Sequence, residues 1–269
     1  MLKYKNDLPS HQYLVARKQS RKEMKDRPKL SMIMPAYNEE KRIEGAIEAA
    51  VKVLEGIGLN YEIVVVNDGS SDETAKKVLK CAKKYNAVKL VSYNENRGKG
   101  YAIKEGFKHA NGDILVLMDT GGEISPVNLR EYLNALKCVD VAIGSKWHRQ
   151  SSVQAPFLRK FLSRGFYVLA KLLVGIKVSD AQVGFKAFRR EALEKLVKMQ
   201  SAKRYVFDVE YLALANFLKL KLVELPIYIQ LDARFSLRKI WQMFWELLGV
   251  AYKIRIKKGY QKTFFKYTN

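Results

Sequence analysis

From Lys29 onward the chain alternates short, continuous apolar runs with longer amphipathic segments, and that alternation limits the fold more than any other feature. Leu30 to Met34 is an apolar run that Pro35 is expected to stop. Behind it Ile43, Ala46, Ile47, Ala50, Val51 and Leu54 recur at i, i+3, i+4, i+7, i+8 and i+11, which is one face of a helix. "EIVVVND" (62–68) then reads as a buried strand, Asp72 to Tyr85 as a helix and "VKLVSY" (88–93) as a strand. "GKGYAIKEGFKHA" (98–110) follows as a helix, and "GDILVLMD" (112–119) and "VDVAIGS" (139–145) as strands. Strands alternating with helices predict βαβ units and a mainly parallel sheet. Runs that are continuously apolar predict that helices cover both faces of that sheet.

After about residue 150 the pattern changes. A basic helix is expected over Ala155 to Val174, further helices over Arg190 to Lys198 and Asp208 to Lys219, and a strand over Leu220 to Gln230 around Pro226. Ser236 to Ile256 reads as a long amphipathic helix. Leu237, Ile240, Trp241, Phe244, Leu248 and Ala251 share one face, and Arg238, Lys239, Lys253, Arg255, Lys257 and Lys258 crowd the ends. No internal repeat or low-complexity tract interrupts the chain. It divides into a basic N-terminal extension (1–28), an α/β domain (29–230) and a basic amphipathic tail (231–269).

Charge narrows the function. Lys and Arg number 49 against 27 Asp and Glu, a net charge of +22, which calls for an anionic partner: nucleic acid, anionic lipid or nucleotide phosphate. A nucleic-acid binder is expected to carry a recognised motif or basic residues interleaved with exposed aromatics, and neither occurs outside the terminal helix. Cys81 and Cys138 lie far apart and read as reduced thiols. His11, His109 and His148 match no zinc or triad spacing. No apolar run reaches the roughly 20 residues that cross a bilayer. The nearest, Phe161 to Val178, is broken by Arg164 and Lys171, and the first residues lack the apolar core of a signal peptide.

In an open parallel sheet, ligands bind beyond the carboxyl ends of the strands. Three such ends carry polar stretches here: "PAYNEE" (35–40), "NDGSSDET" (67–74) and "DTGGE" (119–123). The second has two readings. One is a turn at Asp68-Gly69 with a helix N-cap at Ser70 or Ser71. The other sets the Asp68 carboxylate against a base or ribose edge. "NRGKG" (96–100) does not match a Walker loop.

Together, "MPAYNEE", "VVVNDGSSDET", "NENRGKGYAIKEGF", "GDILVLMDT", "AIGSKW", "LSRGFYVLAKLL", "DAQVGFKAFRREAL" and "FDVEYLALA" resemble family-2 glycosyltransferases in composition and order. More narrowly they resemble the polyprenyl-phosphate (dolichyl-phosphate) sugar synthases, and "DAQVGFKAFRR" leans to the glucose rather than the mannose branch. The resemblance implies a GT-A (Rossmann-like) fold with C-terminal interface helices. It also implies inverting transfer of a hexose to a lipid phosphate from a nucleotide sugar, UDP-glucose favoured over GDP-mannose. It implies that Pro35, Tyr37, Glu39, Asp68, Lys99 and Asp119 surround the nucleotide sugar. Lys146, in place of the family's usual Arg, together with Arg159 and Arg164 would then meet the acceptor phosphate. Asp119, Lys146 and Arg164 form the catalytic set so implied. Asp208 and Glu210 stay outside it, because their helical setting makes a structural role at least as good a reading.

At "DTGGE" the chain departs from the family. The usual Asp-x-Asp holds a divalent cation; here Asp119 matches the first ligand and Gly121 replaces the second. The favoured reading is a site for Mg²⁺ or Mn²⁺ built from Asp119 and Glu123, since Mg²⁺ needs only one or two carboxylates beside substrate phosphate and water. Behind it stand a weakened site in which Lys99 or Lys146 shares the charge, and a catalytically silent nucleotide-sugar binder. The terminal helix, aromatic on one side and basic at its ends, has the pattern of a helix lying in a membrane interface. With the net charge, it suggests peripheral attachment to the anionic cytoplasmic face of a membrane, or to a membrane subunit.

Overall fold

The computed structural model describes residues 29–230 and 237–255, with side chains of 237–239 left aside. Thirteen elements carry the first part of the chain. They are β1 (Leu30–Ala36), α1 (Ile43–Ile57), β2 (Tyr61–Asp68), α2 (Thr74–Lys84), β3 (Val88–Tyr93), α3 (Lys99–His109), β4 (Ile114–Met118), β5 (Ile124–Ser125), α4 (Leu129–Ala135), β6 (Val141–Gly144), β7 (Ser152–Gln154), α5 (Phe157–Val174) and β8 (Phe185–Arg189). Then come α6 (Arg190–Met199), α7 (Phe207–Phe217), β9 (Leu222–Leu225), β10 (Tyr228–Gln230) and α8 (Leu237–Arg255). Seven strands form one sheet in the order β3-β2-β1-β4-β8-β6-β9, and β5, β10 and β7 form a second, small one.

The large sheet is parallel except for β8, which runs antiparallel between β4 and β6. Successive residues of a strand face opposite ways, and the core divides accordingly. Ile33, Val64, Val66, Leu115 and Leu117 pack on one face with α3, α6 and α7. Met32, Met34, Ile63, Val65 and Val116 pack on the other with α1. The six α1 residues picked out by spacing are the six it buries. A sheet covered on both faces is thus what the apolar runs encode.

Three local expectations need correction. β1 does not stop at Pro35 but runs to Ala36, paired with β2 throughout. Pairing with β4 ends at Ile33–Leu117, so no ladder on that side requires an N–H from Pro35. The strand around Pro226 is two strands: β9 pairs with β6 in the large sheet, and β10 belongs to the small one. Between them the Pro226 carbonyl accepts from Tyr132 Oη (3.0 Å) and from Asn128 Nδ2. Finally, α2 starts at Thr74, whose N–H donates to Asp72 Oδ1 (3.0 Å). Ser70 and Ser71 bond Asn38 instead.

β8 is the strand the sequence hides. Lys186 is its second residue and is buried, its ammonium donating to Asp208 Oδ1 (2.7 Å) and to the Val183 carbonyl. Asp208, at the start of α7, is therefore the counter-ion that lets a lysine occupy the sheet interior.

Candidate functional site

The carboxyl ends of β1, β2 and β4 open on a cavity of about 430 Å³. Two loops build its rim by bonding each other. The Glu39 N–H donates to Thr74 Oγ1 (2.8 Å), the Glu40 N–H to Asp72 Oδ2 (3.1 Å) and the Ser71 N–H to Asn38 Oδ1 (2.9 Å). This lacing sets Pro35, Tyr37 and Glu39 in the wall. Asp68 lines the same cavity but is only 3% exposed. Its carboxylate accepts from Tyr93 Oη (2.8 Å), Asn96 Nδ2 (3.1 Å) and the N–H groups of Arg97 (2.8 Å) and Gly98 (2.9 Å). Its oxygens are thereby committed to holding the 93–98 loop. Gly98, at φ 99°, could carry no Cβ, because Arg204 and the Lys203 carbonyl stand within 2.6 Å of where it would be.

Asp119 marks the end of β4. Its N–H donates to the Gly184 carbonyl (3.0 Å), and a Cβ on Gly184 would come within 2.0 Å of the Asp119 carboxylate. Only glycine at 184 leaves that carboxylate its place. Lys99, the first residue of α3, reaches Asp119 Oδ1 at 2.6 Å. Burial disfavours the Lys99 charge, but Asp119 and then Asp208 outweigh it, so its pKa is raised.

A second cavity, of about 690 Å³, lies between α5 and α8. Phe161, Leu162, Phe166 and Leu169 form one wall, and Ile240, Met243 and Phe244 the other. Lys146 lies in its polar part, held by both Asp180 oxygens (2.9 and 3.0 Å). The two cavities share three residues: Asp119, Glu123 and Arg159. Arg159 meets Glu123 through both terminal nitrogens, at 3.1 and 3.3 Å, so this fork-to-fork pair stands where the cavities join.

Most of the residues picked out from the sequence therefore converge, with one exception. Arg164 lines neither cavity; its guanidinium stacks over the rings of Trp147 (4.9 Å) and Tyr167 (5.1 Å). Its charge is thus set against two rings and outside both cavities. Glu210 is structural, accepting from the N–H groups of Ser201 and Ala202. Arg42, Arg204 and Tyr205 also line the polar cavity; no sequence signal marks Arg204 and Tyr205, because "KRYVF" (203–207) matches no motif. For a metal, among the described residues no group of three or more His, Cys, Asp or Glu is gathered to hold one. Asp119 and Glu123 line both cavities, and each is paired with a cation, Lys99 and Arg159 respectively. A Cβ on Gly121 would have only Glu39 Oε1 within 4 Å, so the space left by a second Asp is open.

Residues 31–197 match the sequence profile described as glycosyl transferase family 2. The chain belongs to this family. Among curated relatives of this family-2 glycosyltransferase, a dolichyl-phosphate beta-glucosyltransferase of Trichomonas vaginalis is 36% identical over 75% of this chain and 66% of its own length. The dolichyl-phosphate beta-glucosyltransferases of Homo sapiens (34%) and Saccharomyces cerevisiae (32%) match over 74% of this chain and 66% of theirs. The match thus spans about two thirds of these relatives. In three dimensions the chain is similar to Mycobacterium tuberculosis glucosyl-3-phosphoglycerate synthase in complex with UDP. The TM-score is 0.64 at 18% identity, covering 92% of this chain and 86% of that one. The same enzyme has been crystallised with Mn²⁺ and UDP-glucose (TM-score 0.63, 18% identity, 92% and 86% covered). The GT-A fold is common to both.

Proposed function

We propose that the chain transfers a hexose, glucose favoured, from a nucleotide sugar to a polyprenyl phosphate of the dolichyl type. The observation that carries this reading is the junction of two unlike cavities at Asp119, Glu123 and Arg159. The polar cavity suits a nucleotide diphosphate sugar, and the apolar one suits a lipid chain whose phosphate lies at the junction. The names of the curated relatives favour glucose and dolichyl phosphate, and the UDP complexes of the structural neighbours favour uridine.

The chemistry needs few groups. A phosphate monoester loses its second proton at about pH 6, so the acceptor is a nucleophile without help from a base. Its oxygen attacks the anomeric carbon, and the bond to the diphosphate breaks on the opposite side with the electron pair leaving on the nucleoside diphosphate. Lys146 and Arg159 hold the acceptor phosphate in line. Lys99 stands where charge develops on the leaving group. Arg164 has no part in this step. Asp119 and Glu123 are the residues that would hold a divalent cation, with donor phosphate and water completing its shell. When bound, such an ion supplies charge neutralisation of the diphosphate.

Attachment to a membrane follows from the same two helices. Phe157, Phe161, Val168 and Leu172 of α5 and Trp241, Trp245 and Tyr252 of α8 are exposed, and α5 packs on α8. Among the described residues no helix is long and apolar enough to cross a membrane. In this reading the two faces lie in the interface of an anionic cytoplasmic leaflet, beside the cavity that takes the lipid.

The test is transfer of labelled sugar to dolichyl phosphate from UDP-glucose, GDP-mannose or UDP-N-acetylglucosamine, each with Mg²⁺, Mn²⁺ or EDTA. Turnover with UDP-glucose, abolished by EDTA, is expected. Donor binding without turnover from any of the three would leave a silent binding protein and defeat the reading.

A further inference from the structure

Glu246 lies on α8, the helix that closes the apolar cavity, yet its carboxylate serves the other cavity. Glu246 Oε2 accepts from the N–H groups of Tyr205 (3.1 Å) and Val206 (3.2 Å). These N–H groups stand at the start of α7, where the N-cap residue Val206 offers no side-chain cap bond. Such donors need a partner, and here it comes from another helix. The segment they belong to is fixed on its opposite side by α3. The Gly100 N–H donates to the Arg204 carbonyl (3.1 Å), the Tyr101 N–H to the Lys203 carbonyl (2.9 Å), and Arg204 Nη1 donates to Asn96 Oδ1 (3.3 Å). Arg204 and Tyr205, held between these anchors, line the polar cavity beside Lys99 and Asp119. Burial raises the Glu246 pKa, while the Val206 and Tyr205 N–H groups and the nearby Arg204 charge act the other way.

We propose that Glu246 is a positioning residue for the nucleotide sugar: from α8 it sets where Arg204 and Tyr205 stand in the donor cavity. The helix that borders the lipid is thereby also a wall support of the donor site. This inference rests on the reading that the 430 Å³ cavity takes the nucleotide sugar.

The experiment measures UDP affinity with Mg²⁺ by calorimetry, and KM for UDP-glucose and for the acceptor, on the full chain carrying Glu246→Ala or Glu246→Gln. Glu246→Ala is expected to weaken UDP binding about tenfold and raise KM for UDP-glucose to match, with kcat and the acceptor KM changed less than about threefold. Glu246→Gln keeps an acceptor oxygen and is expected to restore affinity to within about threefold of the original. Should Glu246→Ala not fold, Glu246→Asp, whose oxygens are drawn back by one methylene, carries the same expectation. UDP affinity of the folded Ala or Asp variant within about twofold of the original would overturn the inference, as would an acceptor KM that rises as much as the donor KM. Failure of the unmodified chain to bind UDP would instead defeat the functional reading, and this inference with it.

Discussion

The two cavities meet at the same three side chains and are built in opposite ways. Around the polar cavity, polar groups are bonded to each other: Asp68 holds the 93–98 loop, and the 38–40 and 70–74 loops are laced together. Around the apolar cavity, the walls away from the junction are mainly aliphatic and aromatic side chains of two helices. A satisfied polar network specifies one geometry, which suits a rigid nucleotide with fixed donors and acceptors. Apolar contact is non-directional, which suits a flexible chain that can slide. Under the proposed function, the contrast would give specificity for the sugar nucleotide to the frame, and tolerance for lipid length to the helices.

The contrast can be broken or sharpened by substitution. The largest effect is expected at the junction: Asp119→Asn should lower kcat about 10²- to 10³-fold, measured at saturating substrates. Gly184→Ala, which puts a methyl group into the Asp119 carboxylate, should approach that loss. On the donor side, Asp68→Ala strands several buried donors and should lower stability by about 3 kcal/mol in denaturant titration, with loss of UDP binding. On the acceptor side, Arg159→Ala should raise the acceptor KM roughly 10- to 50-fold, whereas Arg164→Ala should change it by less than about threefold. If Arg164 proves the more damaging, the assignment of the apolar cavity is wrong. The smallest effect is expected at the exposed face. Trp241→Ala and Trp245→Ala should each weaken binding to anionic vesicles about fivefold while leaving the thermal midpoint unchanged.

Acidity gives a further separation. Below about pH 6 the acceptor dianion takes up a proton and becomes the monoanion, and the rate should fall tenfold per pH unit. Lys99 should add no limb near neutrality. Its pKa is raised in the folded chain, so the contribution of its pairing with Asp119 is fully present below the ordinary lysine range. It is lost only as pH rises through the raised value. A basic limb near pH 8 would place another titrating group in the step.

Legibility in the sequence follows the same division. The α1 face could be read residue by residue and the strands β1 to β4 could be placed, with β1 running past the expected stop at Pro35, because each shows a simple local pattern of apolar residues. Lys186 concealed β8, since its place in the sheet depends on Asp208, far along the chain. The convergence of Asp119, Lys99, Glu123, Lys146 and Arg159 was legible from strand ends and family resemblance. The commitment of Asp68 to the 93–98 loop, the support from Gly184 and the walls formed by Arg204 and Tyr205 were not. Each arises from a contact between segments that no local pattern encodes. Arg164 shows the converse: a basic residue on the expected helix that the helical turn directs onto Trp147 and Tyr167.

The most direct test of two cavities meeting face to face at the anomeric carbon is the configuration of the product. UDP-glucose carries its sugar in the α configuration, and an acceptor phosphate entering from the apolar cavity, opposite the diphosphate, must give β-glucosyl phosphate. Proton NMR of the lipid-linked product reads this from the anomeric coupling. A β product is expected. An α product would mean that the acceptor reaches the sugar from the leaving group's side, and the arrangement of cavities described here could not be the one that reacts.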